Sequence, residues 1–236
     1  MILQLSDLHI GAPAGDPDGD LARAVAHAAG TLGLRPDAVL VSGDLTEHGD
    51  AAEYARVREL LEPLGAPVVA LPGNHDRARE LREAFPERAH EGVIRLLTLD
   101  SSRPGRDDGA LGEEQLARLD ADLAAGGDRP VLVALHHPPL ATGMPFLDDI
   151  GLDPGDAGRL AAITARHRVA RVVAGHVHMV TSGLLGTTPV LTAPSTWRVR
   201  ARLRLGTPGW EPEEAPAGFA LHLLLDGVLT SHVVTF

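Results

Sequence analysis

The sequence predicts an α/β fold in which two β-sheets pack face to face with helices outside, and three observations predict it. Short apolar runs, many of them β-branched, alternate with amphipathic stretches rich in Ala, Arg and Glu. Most of the runs are continuous rather than alternating, as strands buried on both faces are. The βαβα order predicts a largely parallel sheet, while the last quarter of the chain carries strand patterns with no helix between them.

In chain order, the apolar runs predict strands at 2–5, 38–41, 67–71, 93–99, 131–135 and 169–174. The amphipathic stretches predict helices at about 18–32, 51–64, 77–85, 113–124 and 156–167. Further strands are expected at 188–192, 196–205, 219–225 and 229–234. Leu225-Asp226-Gly227-Val228 reads as a hairpin turn, because Asp-Gly tolerates positive φ. The Pro-, Gly- and Glu-rich segment 206–218 reads as an exposed loop. No internal repeat or linker divides the chain, so residues 1–236 are read as one domain.

Composition narrows the function. The chain of 236 residues is 44% apolar but only 3% aromatic and carries a net charge of −11. That balance lacks the basic footprint of duplex binding and the exposed aromatics of single-strand binding, so long nucleic acid is not an expected partner. Cysteine is absent, which leaves only N and O ligands for any metal. All basic side chains are arginine. The N-terminal run has no basic n-region, and no apolar stretch approaches the ~20 residues of a membrane span. A cytoplasmic protein without a membrane partner is the expectation.

The chemistry sits after the strands. The first predicted strand is followed by Asp7 and His9, the second by Gly43-Asp44, the third by Gly73-Asn74-His75-Asp76. The strand at 131–135 ends at His136-His137, and that at 169–174 at Gly175-His176-Val177-His178. Ligands of open α/β sheets bind outside the carboxyl ends of the strands, where parallel strands would gather these side chains. Imidazole and carboxylate suit Mn, Fe, Zn or Co. Asp44 has two oxygens and can bridge two cations, and Asn74 offers a neutral carbonyl. Glycines 43, 73 and 175 are expected to let the backbone turn sharply.

These blocks, in this order, resemble the calcineurin-like metallophosphoesterase family. His136-His137-Pro138-Pro139, with Thr142-Gly143 and Gly151-Leu152 beyond, is similar to its class III cyclic-nucleotide phosphodiesterase branch, which also contains glycerophosphodiesterases. The resemblance implies a four-layer αββα sandwich. It implies one metal on Asp7, His9, Asp44 and His178, a second on Asp44, Asn74, His136 and His176, and His75 as a non-ligand histidine near the leaving group. Two divalent ions offset by Asp7, Asp44 and a bridging hydroxide leave about one net positive charge, which suits a phosphodiester monoanion. The expected function is hydrolysis of small phosphodiesters such as 3′,5′-cyclic nucleotides or glycerophosphodiesters. A broad-specificity phosphomonoesterase is the alternative, and a non-catalytic metal-binding scaffold is a third reading.

Other polar residues invite structural readings. Asp76 is expected to cap the helix at 77–85. His137 points away from His136 along a strand and reads as core or supporting. His27, His48, His90, His167, His222 and His232 belong to no block, and Glu47 and Asp100 show no partner in sequence. Arg198, Arg200, Arg202 and Arg204 alternate with apolar residues. They are read as the solvent face of a strand ahead of a phosphate-facing strip or a homodimer contact. Residues 144–149 follow the His136 strand closely enough to border the pocket.

Overall fold

The computed structural model describes residues 1–209 and 211–236; Trp210, within the predicted 206–218 loop, lies outside the described residues. In chain order the first strands are β1 (Ile2–Leu5), β2 (Ala38–Ser42), β3 (Val68–Leu71), β4 (Ala89–Glu91), β5 (Arg95–Thr98), β6 (Val131–Ala134) and β7 (Arg171–Ala174). They are followed by β8 (Ser182–Leu185), β9 (Thr188–Thr192), β10 (Val199–Ala201), β11 (Pro212–Glu214), β12 (Gly218–Leu225) and β13 (Val228–Thr235). The helices are α1 (Pro17–Ala26), α2 (Ala51–Leu61), α3 (Ala78–Ala84), α4 (Glu113–Ala125), α5 (Pro145–Asp149) and α6 (Pro154–Arg166). A π-helical turn, His27–Thr31, prolongs α1, and a 3₁₀ turn, Glu62–Leu64, prolongs α2.

One sheet runs β13-β12-β1-β2-β3, the other β4-β5-β6-β7-β9-β8. Strands β1, β2 and β3 are mutually parallel, as are β5, β6, β7 and β9; β12, β13, β4 and β8 add antiparallel margins. Both sheets are therefore mixed, and the helix-free tail supplies the margin of the first and β8–β9 of the second. Ile2, Leu40 and Leu71 of the first sheet pack against Leu96, Leu132 and Val173 of the second. The outer face of the first sheet packs under α1, α2 and α3 through Leu21, Tyr54, Val57 and Leu81. The outer face of the second packs under α4 and α6 through Leu116, Leu119, Leu160 and Ile163. Each layer thus buries the apolar stripe of its neighbour, giving the four-layer αββα sandwich. Among the described residues no helix is long and apolar enough to cross a membrane.

The β12–β13 turn forms as expected, with Asp226 and Gly227 at φ 50 and 78°. The strand predicted at 196–205 contracts to β10, and the predicted 206–218 loop contains its partner β11. Charge explains the pairing. Arg198 meets Glu214 at 3.0 Å, Arg200 meets Glu213 at 2.9 Å, Arg202 meets Glu213 at 3.4 Å and Arg204 meets Glu211 at 2.8 Å. Opposite charges facing across strands favour pairing. The arginine strip is thereby matched by acids of its own hairpin, and the phosphate-facing reading is set aside.

A buried polar chain joins the sheets. Gln4 Nε2 donates to Ser42 Oγ at 2.9 Å and crosses to the Ala174 carbonyl at 3.1 Å. His222 Nε2 donates to Gln4 Oε1 at 2.9 Å, and Ser231 Oγ donates to His222 Nδ1 at 2.7 Å. Burial, with Arg171 nearby, pushes the His222 imidazole down to about 3. An unfolded histidine takes up its proton near 6.5, so the stability from neutral His222 is complete above that pH and is lost as pH falls toward 3. At pH 5 the loss amounts to about 2 kcal/mol. Urea unfolding between pH 7 and 5 should show this slope in the wild type and a shallower one in His222→Gln; equal slopes would refute the assignment.

Candidate active site

The parallel strands β1, β2 and β3 carry Asp7, His9, Asp44, Asn74 and His75 past their carboxyl ends, and β6 and β7 carry His136, His176 and His178. The two sheets meet there, so all eight residues singled out in the sequence converge at one seam. The seam is stitched by backbone. The His176 amide donates to both Asp7 oxygens, at 3.0 and 3.2 Å, and the Leu8 amide donates to the Asp44 carbonyl at 2.8 Å. The chain turns abruptly after each strand. Asp7, His9, Asp44, His176 and His178 adopt left-handed conformations with φ 52, 48, 50, 72 and 53°. Non-glycine residues enter this region at a cost of about 1–3 kcal/mol each, and such strain concentrates at functional sites.

The imidazoles are aimed. His136 Nδ1 donates to the Ser42 carbonyl at 2.8 Å, His178 Nδ1 to the Val199 carbonyl at 2.6 Å, and His9 Nδ1 to Glu47 Oε2 at 2.9 Å. With the proton fixed on Nδ1, each Nε2 presents a lone pair to the centre. His9 Nε2 and His178 Nε2 then face one another at 3.1 Å, and His136 Nε2 and His176 Nδ1 at 3.2 Å. Asn74 Oδ1 lies 3.2 Å and Asp44 Oδ2 3.3 Å from His136 Nε2, and Asp7 Oδ1 lies 3.5 Å from His178 Nε2. Ring nitrogens this close repel unless a proton or a metal cation lies between them. The buried His176 Nε2 has no hydrogen-bond partner.

The field points the same way. Burial alone would lower His136, but Asp44 and then Asp7 override it and raise the imidazole to about 9. Burial raises the Asp44 carboxyl, and the surrounding His136, His9 and His75 outweigh that and hold it well below the usual carboxylate range. A centre that draws a proton onto a buried histidine against desolvation also attracts a metal cation. Ligand atoms of Asp7, His9 and His178 lie within 4.8 Å of one another, as do those of Asp7, Asp44 and His136 and those of His9, Asp44 and His75. Asp7, His9 and Asp44 each belong to two of these groups. The donor set of imidazole, carboxylate and amide oxygen fits first-row divalent or trivalent metals.

His137 approaches His136 and His176 as well, but both its nitrogens are committed. Ser101 Oγ donates to Nδ1 at 2.8 Å and Nε2 donates to the Asp107 carbonyl at 3.1 Å. Burial, and then His136, push it down to about 3. It stays a neutral supporting residue.

Three details depart from the sequence reading. Asp76 does not cap α3, whose N-cap is Arg77. Its carboxylate accepts from the amides of Leu45, Thr46 and Gly73 and from the hydroxyls of Thr46 and Tyr54, bracing the Asp44 loop. Only Gly43 of the three block glycines needs a left-handed turn, at φ 95°. Gly73 and Gly175 are needed for room, since a Cβ there would strike Asp44 Oδ1 and Ser6 Oγ. Glu47, read as unpartnered, holds His9 and stands 3.6 Å from His75 Nδ1.

A cavity of about 450 Å³ opens over these residues. Its lining includes His75, the acidic Glu47 and Asp107, and the apolar side chains of Trp197, Phe146 and Ile150. The expectation that residues 144–149 border the pocket holds, because α5 supplies Phe146 and Leu147. A larger groove of about 690 Å³ beside α2 and β3 contains no histidine or aspartate, so size does not mark the site.

The comparisons with known proteins agree with this geometry. A family model described as calcineurin-like phosphoesterase matches residues 1–180. A probable cyclic nucleotide phosphodiesterase of Synechococcus sp. is 35% identical, over 98% of this chain and 91% of its own. The 3′,5′-cyclic adenosine monophosphate phosphodiesterase of Pseudomonas aeruginosa is 33% identical, over 83% of this chain and 76% of its own. A glycerophosphodiester phosphodiesterase of Enterobacter lignolyticus is 35% identical, over 69% of this chain and 63% of its own. Among solved structures, GAP50, the anchor in the inner membrane complex of Plasmodium, superposes with a TM-score of 0.71 at 13% identity, over 99% of this chain and 84% of its own. The purple acid phosphatase of yellow lupin seeds superposes with a TM-score of 0.69 at 15% identity, over 93% and 48%. At those identities the likeness is one of fold. On the family match and the relatives that span most of its length, the chain belongs to the calcineurin-like phosphoesterase family.

Proposed function

We propose that this chain is a dinuclear-metal-dependent phosphodiesterase acting on small phosphodiesters, with 3′,5′-cyclic nucleotides and glycerophosphodiesters as the substrate classes. The observation that carries the reading is the convergence of Asp7, His9, Asp44, Asn74, His136, His176 and His178 with their lone pairs aimed at one centre. Asp7, His9, Asp44 and His178 would hold one metal, and Asp44, Asn74, His136 and His176 the other. Mn, Fe, Zn and Co all suit such a set. Bound there, a metal pair would polarise a phosphate oxygen and lower the pKa of a water toward neutrality.

The chain's own residues do the rest. Glu47 and the Ser42 and Val199 carbonyls orient the His9, His136 and His178 rings before substrate arrives. His75 keeps its side chain partly exposed to the cavity, with its ring edge-on to His9 at 4.9 Å and its amide donating to Asp44 Oδ1 at 3.0 Å. From there it gives a proton to the departing alkoxide. The relatives named for cyclic nucleotides and glycerophosphodiesters support diester over monoester hydrolysis. Manganese-loaded protein should cleave bis(p-nitrophenyl) phosphate at least about tenfold better in kcat/KM than p-nitrophenyl phosphate, a difference of about 1.4 kcal/mol in transition-state binding. A clear monoester preference would overturn the diesterase reading in favour of a phosphomonoesterase.

A further inference from the structure

Aromatic residues are scarce, with two Trp, one Tyr and four Phe in the chain. Tyr54, Phe85 and Phe219 belong to the core beneath the first helix layer, and the partly buried Phe236 packs against it. Trp197 and Phe146 instead line the cavity over the candidate metal centre.

Trp197 is also built in rigidly. Its amide donates to the Asp7 carbonyl at 3.2 Å, and its indole Nε1 donates to the Ala14 carbonyl at 3.1 Å. The neighbouring Ser195 Oγ donates to the same Asp7 carbonyl at 2.9 Å. The ring lies against His9 at 4.8 Å and His178 at 5.9 Å. Its polar handle is satisfied inside the protein while its half-buried ring contributes wall. A flat surface fixed before binding loses little conformational entropy when a ligand docks on it.

The charges limit what can dock. Among the described residues no arginine lines this cavity, the chain has no lysine, and Glu47 and Asp107 both border it. Beyond the phosphate at the metal centre, a ligand must therefore carry no further negative charge. Glu47 is engaged by His9, and Asp107 lies on the exposed rim. Among the described residues Trp197 and Phe146 are the only Trp, Tyr or Phe lining the cavity, too few for the closed aromatic cage that holds a quaternary ammonium group. A neutral, flat heteroaromatic ring meets both conditions.

Building on the phosphodiesterase reading, we infer that Trp197 is a specificity-determining platform that stacks the base of a cyclic mononucleotide and selects it over glycerol-type diesters. Stacking on an aromatic wall tolerates any base, so the platform selects nucleotides as a class.

The test uses manganese-loaded full-length wild type, Trp197→Leu and Trp197→Phe, with metal content measured for each. In the wild type kcat/KM is expected to be higher for 3′,5′-cAMP than for glycerophosphocholine. In Trp197→Leu the ratio of the two values should fall by about tenfold or more, mostly through KM for the nucleotide. Trp197→Phe should restore most of the ratio. By calorimetry, wild type should bind 5′-AMP more tightly than inorganic phosphate, and Trp197→Leu should lose that margin. Equal losses on both substrates would show that Trp197 only shields His9 and His178, and overturn the inference. A wild-type preference for glycerophosphocholine, or 5′-AMP binding no tighter than phosphate, would also overturn it while leaving diester hydrolysis standing. If the wild type cleaves no diester, the proposed function itself fails.

Discussion

Asp44→Ala is expected to reduce phosphodiesterase activity to background and to leave the protein with less than one metal per chain. The carboxylate is the meeting point of the two sheets. Its Oδ2 lies 3.3 Å from His136 Nε2 and 3.7 Å from His9 Nε2, while Oδ1 accepts the His75 amide at 3.0 Å. His136 comes from the second sheet and His9 from the first, so one side chain serves both halves of the centre. On the proposed ligand set, removing it would take away a shared ligand and the negative charge that raises the His136 imidazole. The fall in kcat/KM should be at least about 10³-fold, beyond the 10–100-fold typical of losing an outer-sphere partner. Asn74→Ala makes the contrast. Asn74 Oδ1 reaches only His136 of these rings, at 3.2 Å, so its loss should weaken one metal and spare the other. Metal analysis of the purified variants decides the matter. Full and equal occupancy in both would mean that Asp44 does not bridge.

Most of this frame was legible in the sequence because burial leaves a strong imprint. Strands covered on both sides, such as Val39-Leu40-Val41 and Val131-Leu132-Val133, must be apolar without interruption. The polar residues that follow them stand out for that reason, and the eight positions at the seam could be named. The missed elements are those whose order comes from a partner rather than from their own pattern. β4 and β11 are short and largely exposed, β8 opens on Ser182-Gly183, and α5 has five residues. β11 exists because Glu213 and Glu214 face Arg200 and Arg198 across the ladder.

The support of the site was less legible for the same reason. Glu47 lies two residues beyond an apolar Leu45, and nothing in that spacing shows that it reaches His9. Asp76 directly precedes a helix, where capping is the common role, but its neighbours in space are Leu45, Thr46 and Tyr54. Trp197 falls at the start of the strand predicted at 196–205 and meets His9 only because Thr196 and Trp197 hydrogen-bond back to Ser6 and Asp7. Sequence spacing reports which side of an element a residue occupies. It does not report which loops the sheet seam will press together. The left-handed backbone at Asp7, His9, Asp44, His176 and His178 is likewise imposed by the closure of the site.

His75→Ala should behave in the opposite way to Asp44→Ala, keeping the metals and losing the chemistry. His75 touches the centre through its backbone amide, which alanine retains, while its side chain faces the cavity beside Glu47. A proton donor placed there matters according to what departs. The alkoxide released from a cyclic nucleotide or a glycerophosphodiester is strongly basic and needs a proton as the bond breaks. p-Nitrophenolate is a stable anion and does not. The variant should therefore lose about 10²–10⁴-fold in kcat on 3′,5′-cAMP, the usual range for general acid catalysis, and far less on bis(p-nitrophenyl) phosphate. This divergence between substrates separates proton donation from mere distortion, because a collapsed site would slow both alike. Parallel losses on the two substrates, or full retention of activity on the nucleotide, would remove His75 from the mechanism.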